Sequence, residues 1–416
     1  MTCHRAPRGR TGPPARARRV ALAAAAIVAL LCAGCGSSAK PRSHTVRLRP
    51  LASGPRGAGC STAVARESRL SGVATAMIAL HGEPFGVVTT ADDRWSFVGA
   101  GGGIVVLSGD GLALRPVRTI ATGGAQPLGE TLTHDGRYLL AADGGGGAVV
   151  VDVARAESGA AGAVLGTLSG PRPGGAIEVA VSPDDRYAFV SIEYASEIAV
   201  FDLGAALADG LRSSHYVGAI PLGEAVVGMA VSPDGRWLYA TSELGAHPAA
   251  EHGDGTLSVI DLARAETRPA DSVVSTVTAR CSPVRVAVSS DGKVVWVSAR
   301  ESDELLAFSA ASLRSDPAHA LLAAVRVGEA PVGLALVDGD RRVVVADSNR
   351  FDAAGASSGL TVVDAAAALA GRPAVLGVIA AGGFPRDMAL EPGGRTLLVS
   401  NFASGQEEAI DVASLP

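Results

Sequence analysis

Three charged residues, Glu178, Arg285 and Asp387, occupy equivalent places in a repeating pattern although more than a hundred residues separate each from the next. Each lies six residues before a tight turn, where four other units carry Gly86, Gly129, Gly228 and Gly333. A charge at a place otherwise kept for glycine has no packing reason to be there. Two carboxylates and a guanidinium brought together can hold a polar ligand, or polarise a carbonyl and activate water. They suit equally an internal ion-pair network that fills a polar channel, and the residues alone do not choose. Arg386 is adjacent to Asp387, and Glu193, Glu243, Arg300, Asp347 and Asn401 follow the second strand of their units, as do Asp143, Glu301, Arg350 and Phe402. All are expected at one end of a shared channel.

The elements that must position them are legible in Ala230 to Leu262. An apolar strand ends at Val231, Ser232-Pro233-Asp234-Gly235 forms a turn with Gly in the left-handed place, and Trp237 to Ala240 returns antiparallel. Leu257 to Ile260 gives a third strand ending on Asp261. Such a meander cannot bury both faces alone and needs copies of itself. The place of Asp234 recurs as Asp92, Asp135, Asp184, Asp291, Gly339 and Gly393, at intervals of 43, 49, 50, 57, 48 and 54 residues. Five units carry Ala four places before the turn, Ala180, Ala230, Ala287, Ala335 and Ala389, as an innermost strand crowded at an axis requires.

A fourth strand precedes each next unit, as in Val217 to Ile220 or Leu376 to Ile379, but after Asp411 only five residues remain. The missing strand is found before the first unit, in Val73 to Leu80. The pattern therefore predicts an all-β, seven-bladed β-propeller whose last blade is closed by an N-terminal strand, leaving no open edge at the seam. Short helical turns are expected at Asp202 to Leu207, Ala310 to Leu313 and Asp364 to Leu369.

Units such as VSPDGRWLYATSE followed by GTLSVIDL resemble the YVTN-type repeats of seven-bladed propellers in bacterial secreted and surface proteins, a superfamily that includes phosphogluconolactonase-like propellers. The resemblance covers Val73 to Pro416 and speaks to fold, because the shared residues are turns and core. It implies one alternative function, a lactonase-like hydrolase in which Glu178, Arg285 and Arg386 polarise a lactone carbonyl and activate water. No His stands at the channel positions as a base.

Residues 1–34 hold six Arg, no acid and the apolar run Val20 to Leu31, too short for an ordinary transmembrane helix and read as a secretory signal. Cys32-Ala33-Gly34-Cys35 resembles a lipobox, which makes Cys35 the expected lipidation site, residues 35–61 a tether and residues 62–416 the propeller. The full chain has 36 basic and 41 acidic residues; without the six leader Arg it has 30 against 41, a charge near −11. That balance argues against nucleic acid as a partner. Cys60 and Cys281 remain after processing. They could pair in an oxidising compartment and pin the tether to the fifth blade, or stay as separate thiols. No Cys/His set suited to zinc or haem exists, and no metal or cofactor is expected.

Weaker motifs are set aside. Gly355-Ala356-Ser357-Ser358-Gly359 satisfies G-x-S-x-G but falls in a loop before a strand, not between strand and helix. His247 and His252 lie in a Gly/Ala/Glu loop, and His134 replaces Pro in a surface turn. The leading expectation is a monomeric, lipid-anchored, non-enzymatic binding or scaffold module outside the cytoplasm, recognising a small polar ligand, a glycan or an envelope protein at the channel face.

Overall fold

The computed structural model describes residue 60 and residues 68–124, 126–245, 254–351 and 357–416. These form seven four-stranded antiparallel sheets. The innermost strands, in order, are Pro84–Thr89, Glu130–Leu132, Ala176–Val181, Glu224–Val231, Pro283–Val288, Pro331–Val337 and Pro385–Leu390. Each touches the next, and the last touches the first, so the sheets are blades around one axis. The closing strand is Thr75–Ala79, which pairs antiparallel with Gln406–Asp411 so that Thr75 faces Ile410 and Ala79 faces Gln406. The fold is a seven-bladed β-propeller closed by its N-terminal strand.

Local chemistry explains the repeated residues. In the fourth blade the Ser232 hydroxyl donates to Asp234 at 2.5 Å and accepts the Trp237 N–H at 3.0 Å, so the turn is tied to the strand that follows it. Thr90, Thr133, Ser182 and Ser289 donate to Asp92, Asp135, Asp184 and Asp291 in the same way. The Asp that ends the third strand caps a helical turn: Asp152, Asp202, Asp261 and Asp364 accept the N–H of Arg155, Ala205, Arg264 and Ala367. The expected turns are observed at Leu203–Ala208, Ala310–Ser315 and Ala365–Leu369.

The recurrent Ala of the innermost strand has a packing cause. Ala180, Ala230 and Ala287 lie across from Phe189, Tyr239 and Trp296, three of the largest fully buried side chains. The small residue leaves room for the bulky partner while the sheet interfaces fill with Val, Leu and Ile, each worth roughly 1.5–3 kcal/mol when fully buried.

The divergent turns are explained as well. Where the fourth turn residue is Asp instead of Gly, it takes the left-handed conformation, with φ of 57° at Asp93, 58° at Asp185 and 64° at Asp340. Its carboxylate then reaches the preceding blade's turn. Asp185 accepts the N–H groups of His134 and Asp135, Asp340 that of Ser290, and Asp93 that of Gly393. Turns with Asp at this place are therefore staples between blades.

Candidate functional site

The alternation of glycine and charge at the axis is a matter of space. A Cβ at Gly129 would lie 2.6 Å from the Ile177 carbonyl oxygen, and one at Gly333 would lie 2.8 Å from that of Arg386. The backbones of blades two, four and six thus press against blades three, five and seven. The room this frees is filled by Glu178, Arg285 and Asp387. The three meet: Arg285 Nη1 is 3.2 Å from Glu178 Oε2, and Arg285 Nε is 3.6 Å from Asp387 Oδ1. Arg285 also donates through Nη1 to the Val227 carbonyl at 3.3 Å. Burial pushes the Glu178 carboxyl up to about 7, against the pull of the Arg285 guanidinium, and raises Asp387 for the same reason.

One residue earlier in each unit, six blades are apolar: Phe85, Leu128, Ile177, Val227, Val284 and Val332. Blade seven has Arg386. Its guanidinium carbon sits 3.9 Å from the centre of the Phe85 ring and 5.4 Å from those of Phe384 and Phe402. Among the described residues no carboxylate lies within ion-pair distance of it, and its Nε has no hydrogen-bond partner. Burial, reinforced by Arg285 and Arg350, lowers Arg386 to about 9.

A cavity of about 260 Å³ opens above this layer. Ile177, Val227, Val284 and Val332 give it apolar walls, and Arg285, Arg386, Arg300, Arg350, Glu193 and Glu243 give it charge. Arg300 is closed by a bidentate pair with Glu243, both contacts 2.7 Å. Arg350 has an aromatic neighbour, Phe384 at 5.9 Å, and no ion-pair partner among the described residues. Burial raises the Glu193 carboxyl, and the nearby Glu243 adds to it. Tyr194, which also lines the cavity, is 78 % exposed.

The candidate residues divide on this geometry. Arg285, Arg386, Glu193, Glu243 and Arg300 line the cavity, whereas Glu178 and Asp387 lie beneath it as the counter-ions of Arg285. Asp347 and Asn401 do not reach the mouth, contrary to expectation. Asp347 is 1 % exposed and accepts a 2.5 Å hydrogen bond from Thr361 in its own blade's third strand. Asn401 is likewise turned along its blade and donates to Glu408 at 3.0 Å. Asp143 folds back on its loop to accept the N–H groups of Gly145 and Gly147. His134 pairs with Asp185 at the surface turns. Cys35, His247 and His252 lie outside the described residues. Cys60 and Cys281 are joined as a disulfide with Cα atoms 5.4 Å apart, and Cys281 ends the outermost strand of the fourth blade, not the fifth.

The expected choice of residues passed over Tyr194 and Phe384, since neither stands out by type. Arg386 had a clear signal, a charge in a column of six apolar residues.

Residues 91–351 match the description of the family named Lactonase, 7-bladed beta-propeller. The chain belongs to this lactonase family. No curated protein matches it. Among solved structures the lactonase-family chain is similar to Kuenenia stuttgartiensis hydrazine synthase, with 16 % identity, a TM-score of 0.64, and coverage of 81 % of this chain and 97 % of the other. It is also similar to the Myceliophteria thermophila Cps50 (Swd1) β-propeller domain, with 13 % identity, a TM-score of 0.60, and coverage of 81 % and 99 %. At such identity the likeness is one of fold alone.

Proposed function

We propose that the channel-mouth cavity binds a small molecule bearing a carboxylate, sulfate or phosphate group. The observation that carries this reading is Arg386, a partly buried guanidinium lining the cavity whose Nε is buried without a hydrogen-bond partner and which has no carboxylate within ion-pair distance among the described residues. A buried cation without a counter-ion is costly, and a ligand oxyanion is the natural complement. Arg350 adds a second open charge, while Arg285 and Arg300 are already compensated. Isothermal titration with a panel of small anions and matched neutral analogues tests it. Anions are expected to bind and neutral analogues not, and Arg386→Leu, which restores the residue type of the other six blades, is expected to fold and to lose binding. Equal binding by Arg386→Leu would remove the reading.

A second reading, lactone hydrolysis, is favoured by family membership and by Glu193. Its raised carboxyl lines the same cavity as Arg300 and is placed to take a proton from water, whereas Glu178 is engaged below by Arg285. Turnover of a lactone panel, lost in Glu193→Gln with binding retained, would support it. Turnover unaffected by that change would oppose it.

The leader and the lipobox-like Cys32-Ala33-Gly34-Cys35 support export and lipid anchoring. Mass spectrometry of the mature N-terminus is expected to find diacylglyceryl-modified Cys35, and Cys35→Ser to release the protein from membranes.

A further inference from the structure

The cavity and the ion-paired triad beneath it share one residue. Arg285 lines the cavity, while its other side is held by Glu178 and Asp387, so a charge arriving above is felt below through a single guanidinium. We propose that anion capture in this cavity is coupled to uptake of a proton by Glu178, so that the site fills more readily as the pH falls. This inference rests on the anion reading above.

The surroundings of Glu178 favour it as the proton acceptor. Blade five presents Arg285 to it and blade seven Asp387, while the neighbouring blade two presents only Gly129. Asp387 is itself faced by Arg386, and Glu130 of blade two acts on Asp387. Arg285 is further influenced by Glu243 at the mouth. Glu178 therefore depends chiefly on Arg285 for compensation of its charge. An oxyanion seated on Arg285 and Arg386 draws on that same positive charge, and protonation of Glu178 relieves the excess of negative charge. By linkage, whatever raises the proton affinity when ligand binds must raise the ligand affinity when the proton binds. The ionisation of Glu178 near neutral pH, set by burial, places the effect in a measurable range.

Two other groups titrate in the cavity and are separated by design. Arg386, lowered to about 9, keeps its charge only well below that value, so measurements stay at or below about pH 8. Glu193 also lines the cavity with a raised carboxyl, so Glu193→Gln serves as the control.

The experiment is calorimetric titration of the purified protein with sodium sulfate and with sodium acetate, whose charges are constant between about pH 6 and pH 8. Each is run in two buffers of different ionisation heat, which counts protons taken up. Affinity is expected to rise on the order of tenfold from the higher to the lower pH, with proton uptake on binding. Glu178→Gln is expected to bind at the higher pH as the unaltered protein does at the lower, without uptake, while Glu193→Gln keeps the dependence. Binding with equal affinity at both pH values, or a dependence that survives in Glu178→Gln, overturns the coupling and leaves the anion site standing. Should Glu178→Gln not fold, the proton count on the unaltered protein decides, and a count of zero overturns the coupling. Absence of binding at either pH removes the anion site and this inference with it.

Discussion

Glu407 shows how far a single carboxyl can set the pH behaviour of this ring. Its Oε2 accepts from Ser400 at 3.0 Å, its Oε1 has no partner, and the residue lies opposite Ile78 of the closing strand. Burial drives the carboxyl well above its ordinary range, and Asp387 and Glu408 push in the same direction. A carboxyl raised on folding favours the native state most while both states are protonated, and this contribution is lost as the pH climbs from the unfolded value through the folded one. Glu407→Gln is therefore expected to leave urea stability unchanged at about pH 4 and to raise it at pH 8 by roughly 1–3 kcal/mol, the usual penalty of an unsatisfied buried group. Equal stability at pH 8 would contradict the assignment. At this scale the residue types were readable but their directions were not. Asp347 and Asn401 follow their second strands just as Glu243 does, yet they turn inward to Thr361 and Glu408, whereas Glu243 meets Arg300 from the next blade. Such choices are made by neighbours far away in sequence.

Among the elements, the turns and their spacing were legible because five of the seven blades solve the same local problem with the same residues, a Ser or Thr bonded to an Asp two places on. What the pattern concealed is the relation between blades. Asp93, Asp185 and Asp340 stand where other turns have Gly, and each joins two turns. The axial glycines read as the default against which charges stood out, while the cause is the close approach of the next strand. Asp185→Gly separates the two roles of its position. It keeps a residue at ease with a φ of 58° and removes only the bonds to His134 and Asp135. Relief of the left-handed strain offsets the extra chain entropy that glycine loses on folding, so the staple is the main source of a net loss. A loss of roughly 1–2 kcal/mol in unfolding free energy is expected, within the range of hydrogen bonds to a charged acceptor. No loss, or a gain, would mean that the blades hold together without it.

For the molecule as a whole, closure and site are one problem. Arg386 and Asp387 belong to blade seven, the blade completed by Thr75–Ala79, and Asp387 pairs with Arg285 of blade five. Ile78 is buried with Val98 and Val105 of blade one and with Leu398 and Ala409 of blade seven, so the strand seals the seam as well as completing a sheet. Without it the Gln406–Asp411 strand becomes an exposed edge, Glu407 and Glu408 gain access to water, and blade seven loses its registry against blade one. A chain beginning at Gly82 is therefore expected to unfold at lower urea, to associate at higher concentration, and to lose binding of small anions. A peptide spanning residues 73–80 should restore binding, and the part of the stability that does not come from the Cys60–Cys281 disulfide and the Arg69 bridge to Val378, in trans, because strand addition supplies the missing main-chain hydrogen bonds of the seam and Ile78 together. Restoration by the peptide but not by one with Ile78→Asp would show that the seam is sealed by packing as well as by backbone pairing. If the shortened chain keeps full stability and binding, blade seven holds Arg386 in place by itself, and the dependence of the site on ring closure is refuted.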